Sequence, residues 1–292
     1  MTLHALLASA ADRLAGVSDT PRLDAELLLA DAMGVDRMEL LLAMQTMRGG
    51  SGGEMTANAK ALLAGFAMRI DRRLTHEPVA YILGWRDFWT ICLDVAPGVL
   101  IPRPDSETLI EAAVAHFGDA GPSRILDLGT GPGTLLLAAL DQWRHATGLG
   151  IDASEDAVRI ATANAERIAP GRAELRKGNW AEGIDQRFDL ILCNPPYVER
   201  RLQLEPQVAD WEPAAALFAG PDGLDCYRVV IPQLPALLAP GGLIAVEIGH
   251  SQADRVGELF RDAGLVPQLR RDLAGRPRAL IHFALGNHQE SV

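Results

Sequence analysis

Residues 124–140 read RILDLGTGPGTLLLAAL: an apolar run, a glycine-rich turn, then leucines among small residues. That order predicts a buried strand over 124–128 and a helix from 134, joined by a turn in which Gly129, Gly131 and Gly133 can take positive φ. A ligand can approach such a backbone closely, and the helix start points free N–H groups at it. A tight strand-to-helix turn without a ligand is the plainer reading. The next run, GLGID at 148–152, favours a ligand because it ends in Asp152, whose carboxylate can accept from both hydroxyls of a ribose. Asp152 could instead cap the following helix, although Ser154 is better placed for that. A dinucleotide fingerprint needs glycine or alanine at 134; this chain has Thr134, with the glycine one residue earlier, so NAD is disfavoured.

Outward from this unit the pattern alternates. Helices are expected over 105–117, 134–145, 155–168, 225–238 and 251–263. Strands are expected over 124–128, 148–152, 173–177, 188–193 and 242–248, then near 265–271 and 278–284. Alternation of this kind implies an α/β domain, a parallel sheet wrapped by helices. The last two strands have no helix between them and should pair antiparallel. Before this region, FWTICLDV at 88–95 reads as a hairpin broken by Pro97 and Gly98.

The first 75 or so residues read as helices. Leu3, Leu6, Leu7, Ala10 and Leu14 recur at helical spacing, and Leu62, Leu63, Phe66 and Ile70 make a second stripe. Thr20 before Pro21 reads as a cap, Gly34 as a stop, and Asp36 with Glu39 as a capping box. GGSGG at 49–53 reads as a loop rather than a phosphate cradle, having no strand ahead of it.

A hydrophobic fraction of 48% and a charged fraction of 22% in 292 residues suit a globular protein with a substantial core, one large domain with a small one attached. The net charge of -11 argues against a protein that coats DNA, which needs surplus Lys and Arg. Cys92, Cys193 and Cys226 form no CxxC pair, and the histidines show neither HxH nor HExxH spacing, so no disulfide framework or metal site is expected and a reducing cytoplasm fits. The opening residues lack the basic leader of a signal peptide, and no apolar run reaches the ~18 residues of a membrane span.

The second decisive stretch is DLILCNPPYVER, 189–200. A buried strand ends there in Asn194, Pro195, Pro196 and Tyr197, at the carboxyl edge of the sheet where ligands of open α/β sheets bind. Each proline fixes its own φ and pushes the residue before it to extended geometry, which stiffens the loop. Prolines offer no N–H, so the polar atoms left are mostly acceptors: the Asn194 side-chain oxygen and main-chain carbonyls. Such acceptors suit a planar NH₂ group, and Tyr197 supplies an aromatic face for the flat group that carries it. An amide or exocyclic amine nitrogen is a poor nucleophile, and fixed acceptors stabilise positive charge as it grows there. The plainer alternative is a turn that merely stops a strand.

The G-x-G-x-G turn followed by an acidic strand end resembles the S-adenosylmethionine site of Rossmann-like methyltransferases. Trp180, in GNWAEG at 178–183, could lie against an adenine face or simply pack in the core. With EPVAYILG (77–84), LIPRPDSETLIE (100–111), EPAAALFAGPDGLDCYR (212–228) and DLAGRPR (272–278), the chain resembles the HemK/PrmC family. These are protein-glutamine methyltransferases that modify the Gln of the Gly-Gly-Gln motif in peptide chain release factors. The resemblance implies a Rossmann-like class I methyltransferase domain, its mostly parallel sheet carrying an antiparallel C-terminal strand, preceded by a small helical domain. It divides the chain into a helical substrate-binding domain at 1–80, a hairpin linker at 81–104 and an S-adenosylmethionine-dependent methyltransferase domain at 105–292. It implies S-adenosylmethionine held by Gly129, Thr130, Gly131, Pro132, Gly133, Asp152 and Trp180. Asn194 then touches both ligands, and Asn194, Pro195, Pro196 and Tyr197 hold the substrate glutamine. Pro132 stands where the family often has Ser or Thr, and Cys193 where Ser is frequent; both are expected to present backbone to the site. IPRPDSE is expected to wall the site; the plainer alternative is that Arg103 and Glu107 are only a salt-bridged loop, and neither is counted among the site residues. The expected partner is a release factor, with no direct nucleic acid and no membrane. Two rival readings are a methylase of exocyclic amines in DNA or RNA, which would use the same tetrapeptide, and a non-catalytic nucleoside-binding protein.

Overall fold

The computed structural model describes residues 2–46 and 57–284; the GGSGG run lies outside them. Two compact units form, one of Met1–Gly84 with Leu204–Trp211, the other of Trp85–Gln203 with Glu212–Val292.

In the first unit the apolar stripes become α1 (Leu3–Leu14), α2 (Pro21–Met33), α3 (Arg37–Thr46), α4 (Ala57–Leu74) and α5 (Val79–Leu83). Leu7, Leu14, Leu28, Leu29, Leu40, Phe66 and Ile70 share its core. The capping box closes as expected: Asp36 Oδ1 accepts from Glu39 N at 2.7 Å and Glu39 Oε2 from Asp36 N at 3.1 Å. Gly34 stops α2 with φ 69°. Thr20 does not cap that helix. Its hydroxyl faces Asp24 Oδ1 at 3.3 Å, and its own N–H is taken by Ser18 Oγ at 3.0 Å. Asp24 is buried with Arg73, whose Nε reaches Asp24 Oδ2 at 2.8 Å. The sequence pattern also does not foresee that α9 (Pro206–Ala209) belongs to this unit. Gln207 Oε1 accepts from Arg73 at 3.1 Å, and Trp211 Nε1 donates to Thr75 O at 3.2 Å.

The second unit opens with a hairpin, β1 (Trp85–Phe88) and β2 (Ile91–Asp94), paired antiparallel. It is no free-standing linker, since Phe88, Ile91 and Leu93 lie in this unit's core. Buried Asn164 ties it down, accepting from Asp94 N at 2.8 Å and donating to Asp94 O at 3.0 Å. After α6 (Glu107–Phe117) the chain lays down β3 (Arg124–Leu128), α7 (Thr134–Gln142), β4 (Thr147–Asp152), α8 (Glu155–Ile168), β5 (Ala173–Lys177) and β6 (Phe188–Cys193). Then follow α10 (Asp225–Val230), α11 (Leu234–Leu237), β7 (Leu238–Glu247), α12 (Ala253–Asp262), β8 (Gln268–Arg271) and β9 (Pro277–Phe283). The sheet order is β5-β4-β3-β6-β7-β9-β8, parallel except that β9 runs against both β7 and β8. The helix expected over 225–238 is broken, because Pro232 and Pro235 interrupt the hydrogen-bond ladder and leave a 3₁₀ turn at Ile231–Gln233.

Alternation along β3 and β6 feeds two cores. Ile125, Leu190 and Leu192 face one side; Leu126, Leu128, Ile191 and Cys193 face the other. Burial on both faces is why these strands read as continuous apolar runs. The chain winds from β3 outward to β5, then returns to place β6 on the other side of β3. A crevice opens at the carboxyl ends where this direction reverses. Leu136 locks α7 onto β4, seated where a side chain at Gly150 would meet its Cδ2 at 3.1 Å. Leu136→Ala is expected to cost about 3 kcal/mol of stability through the cavity it leaves; urea unfolding that shows a loss below about 1 kcal/mol would mean the site collapses freely.

Candidate active site

A cavity of about 280 Å³ opens at that crevice. Its floor is the glycine turn. Gly129 and Thr130 donate N–H groups to Ile151 O at 2.8 and 3.0 Å, which fastens the turn to β4. Gly131, at φ 57°, donates to Asp152 Oδ2 at 2.9 Å, while Asp152 Oδ1 accepts from Ser154 N at 2.8 Å. Each carboxylate oxygen keeps a free lone pair, in an orientation fixed from both sides. Ser154, not Asp152, caps α8, accepting from Ala157 N at 3.3 Å. A side chain at Gly129 would fill the gap, meeting Asn194 O and Trp180 Cζ3 at 3.7 Å each.

Of the residues singled out from sequence, Gly129, Thr130, Gly131, Pro132, Asp152, Trp180, Asn194 and Pro196 line this cavity. Gly133, Pro195 and Tyr197 do not. Gly133 starts α7 at φ 92°, where a Cβ would press on Leu137 Cδ1 at 2.7 Å. Pro195 is buried. Tyr197 turns its ring into the core beside Gly249, and its hydroxyl donates to Glu247 Oε1 at 3.4 Å. Burial beside the Glu247 charge drives its phenol pKa well up, so the hydroxyl stays protonated and remains a donor.

The IPRPDSE loop does wall the cavity, through Pro102, Arg103 and Ser106. Arg103 and Glu107 are not a pair, however. Arg103 Nη2 pairs with the buried carboxylate of Glu212, which also accepts from Ile101 N at 3.1 Å. Glu107 Oε1 accepts from Trp89 N at 2.9 Å. Glu212 lies too far along the sequence for its pairing with Arg103 to be read there.

Two buried acids also escaped the sequence reading. Asp127, in the middle of the apolar run of β3, is 1% exposed and lines the cavity. Its Oδ2 accepts from Thr130 Oγ1 at 2.7 Å and Leu136 N at 3.2 Å, while Oδ1 is buried without a hydrogen-bond partner among the described residues. Glu247, the last residue of β7, is also 1% exposed. An acid inside or ending an apolar strand was the available signal for both. Burial raises the Asp127 pKa to about 7, against the lowering by its two hydrogen bonds. No group of three or more His, Cys, Asp or Glu among the described residues is arranged to hold a metal ion.

The folded chain therefore keeps a proton on Asp127 between pH 3.8 and about 7 that the unfolded chain has released. Its contribution to stability is greatest at the acid end of that window and falls as pH rises through it. Asp127→Asn is expected to gain on the wild type steadily from pH 4 to about pH 7 in urea unfolding. A stability difference that is constant with pH would contradict the raised pKa.

Comparison with known proteins follows the same division. A family described as the PrmC N-terminal domain matches residues 5–84, and one described as a methyltransferase domain matches residues 121–263. The chain is 44% identical over 273 residues to a release factor glutamine methyltransferase of Rhodospirillum rubrum, covering 92% of this chain and 80% of that one. It is 40% identical to the release factor glutamine methyltransferase of Caulobacter vibrioides, covering 96% of each. A solved structure of the hMettl16 catalytic domain superposes with a TM-score of 0.53 at 16% identity, over 81% of this chain and 85% of that one, and shares the fold. With such identity sustained over nearly the full length of these relatives, the chain belongs to the family of release factor glutamine methyltransferases.

Proposed function

We infer that this protein transfers a methyl group from S-adenosylmethionine to the side-chain amide nitrogen of the glutamine in the Gly-Gly-Gln motif of peptide chain release factors. The observation that carries the reading is the meeting of the glycine turn, Asp152 and Asn194 around one cavity, in a chain so close to its relatives.

The residues fit the cofactor. S-adenosylmethionine, when bound, supplies an electrophilic methyl group on a sulfonium sulfur. Asp152 offers one free lone pair on each oxygen to ribose hydroxyls, Trp180 offers a ring face for the adenine, and the open glycine turn admits the nucleoside close to the backbone. The unpartnered Oδ1 of Asp127 suits the cationic amino-acid end. Gly129, Thr130, Gly131 and Pro132 form the floor of this subsite, and Gly133 shapes it by allowing α7 to start where it does.

Asn194 and Pro196 face the cavity from the opposite strand end. The Asn194 oxygen accepts from the substrate amide and stabilises the charge that grows on nitrogen as its bond to the methyl carbon forms and the carbon–sulfur bond breaks, after which the methylated nitrogen releases its extra proton to solvent. Pro195 and Tyr197 act from behind, the first by holding Asn194 extended and the second by anchoring the loop in the core. Alignment of nitrogen and methyl carbon supplies much of the remaining acceleration. We assign the helical unit to recognition of the release factor, on the family likeness of residues 5–84. The net charge of -11 favours a protein over a nucleic-acid substrate, and an enzyme of release factors works in the cytoplasm. No described helix is long and apolar enough to cross a membrane.

Incubation with methyl-labelled S-adenosylmethionine and either release factor or nucleic acid tests the reading. Label is expected in the release factor, on the glutamine of Gly-Gly-Gln by peptide mass spectrometry; label found only in nucleic acid would reject it. Asn194→Ala is expected to lower kcat about 100- to 1000-fold with an unchanged unfolding curve. Asp152→Ala is expected to weaken cofactor binding about 30-fold or more by calorimetry, since two charge-assisted hydrogen bonds go with it. Unchanged cofactor affinity would remove Asp152 from the site.

A further inference from the structure

The role given to Asn194 rests on one atom, its oxygen, yet a carboxamide fits a cavity almost equally well with either end forward. What selects the end lies in the cavity wall, at Ser106, and behind it, at Glu247. Asn194 Nδ2 donates to Ser106 Oγ at 3.2 Å. Ser106 is buried at the start of α6 and has one hydrogen to give. Next to it stands Glu247, whose Oε1 accepts from the Tyr197 hydroxyl at 3.4 Å. Glu247 Oε2 is buried without a hydrogen-bond partner among the described residues, and the nearby Ser106 hydroxyl lowers the Glu247 pKa against the effect of burial.

A carboxylate can only accept. With Oε1 engaged by Tyr197, the Ser106 hydrogen turns toward Glu247, and Ser106 meets Asn194 with its lone pairs. Only the NH₂ end of Asn194 suits those lone pairs, so Oδ1 is left to the cavity. We propose that Ser106 and Glu247 are positioning residues that set the flip of the Asn194 carboxamide and so decide that an acceptor, not a donor, meets the substrate. The catalytic consequence rests on the function inferred above; the orientation itself does not.

Protonation of Glu247 reverses the chain of donors. A neutral carboxyl gives its own hydrogen to Ser106, which frees the Ser106 hydrogen for Asn194 and favours the opposite flip. Burial raises the Glu247 pKa to about 7. The charged and titratable groups facing it are Arg278 from β9, Asp105 from the turn before α6, Tyr197 from the loop after β6, Cys193 from β6, and Tyr227 from α10, which donates to Glu247 O at 2.9 Å. Arg278 favours the ionised carboxylate and Asp105 opposes it, and these two are themselves paired at 2.8 Å. The productive orientation is therefore present above the Glu247 pKa and lost as pH falls through it.

The side-chain NH₂ resonances of Asn194 in the ligand-free protein, assigned by their loss in Asn194→Asp, read the orientation directly. They are expected to shift with a midpoint near pH 7 in the wild type. The step should persist in Asp127→Asn and vanish in Glu247→Gln. No step in the wild type, or an unaltered step in Glu247→Gln, overturns the proposal whatever the enzyme's activity. In turnover, Ser106→Ala is expected to lower kcat about tenfold at unchanged cofactor affinity, as loss of one net hydrogen bond allows, with Ser106→Thr restoring most of it. In an Asn194→Ala background Ser106→Ala should cost nothing further; an equal cost in both backgrounds would mark a merely structural role. A wild type that shows the step but leaves release factor unmethylated would sink the functional reading and keep the orientation.

Discussion

Parallel pairing of β3 with β6 sets Leu128 opposite Cys193, and the site follows from that register. The glycine turn begins one residue past Leu128 and the Asn-Pro-Pro-Tyr corner one residue past Cys193. Both loops therefore leave the sheet at the same height and on adjacent strands. A slip of β6 by one residue would turn Ile191 and Cys193 from one core to the other, so burial on both faces holds the register that brings the two loops together. The crossover from β5 back to β6 makes the crevice between them.

Two buried acids divide the electrostatics of this edge. Asp127 faces the cavity with an open oxygen, and Glu247 stands behind it among hydroxyl groups. Each is close to neutrality because burial penalises the ionised form, and each has a hydroxyl neighbour, Thr130 or Ser106, that offsets part of the penalty. Placing a cation near Asp127 favours its ionised form. Glu247 has Arg278 for the same purpose, held in turn by Asp105 and Asp272. In the function inferred above, the cofactor side has an acid open to ligand and the substrate side an enclosed one.

Much of this was legible in the sequence. The strand-turn-helix at 124–140, the acid ending β4, the Ser154 cap, the Asp36 and Glu39 box and the antiparallel final strands are local patterns, and local patterns survive folding when tertiary contacts agree with them. What was not legible depends on distant residues. The Arg103 partner is Glu212, and the segment around Gln207 packs with the helical unit, because long-range contacts choose among sterically equal options. Tyr197 was read as facing a ligand, whereas its hydroxyl has a buried carboxyl to reach inside. The break at Pro232 and Pro235 is written in those prolines, but the strong apolar pattern of 225–238 reads as one helix. β7 begins at Leu238 rather than 242, since Leu238 pairs with Phe188 and the register shift before the Leu190–Leu243 pair leaves 239–242 as an irregular bulge within the strand.

The inferred reaction depends on an oxygen of Asn194 presented to a substrate carboxamide beside a bound nucleoside. A crystal structure of the protein with S-adenosylhomocysteine and a Gly-Gly-Gln peptide measures this directly. The expected result is the glutamine nitrogen at about 3 Å from Asn194 Oδ1, with Nδ2 still on Ser106. A structure with Nδ2 facing the peptide, or with the glutamine bound away from Asn194, would contradict it.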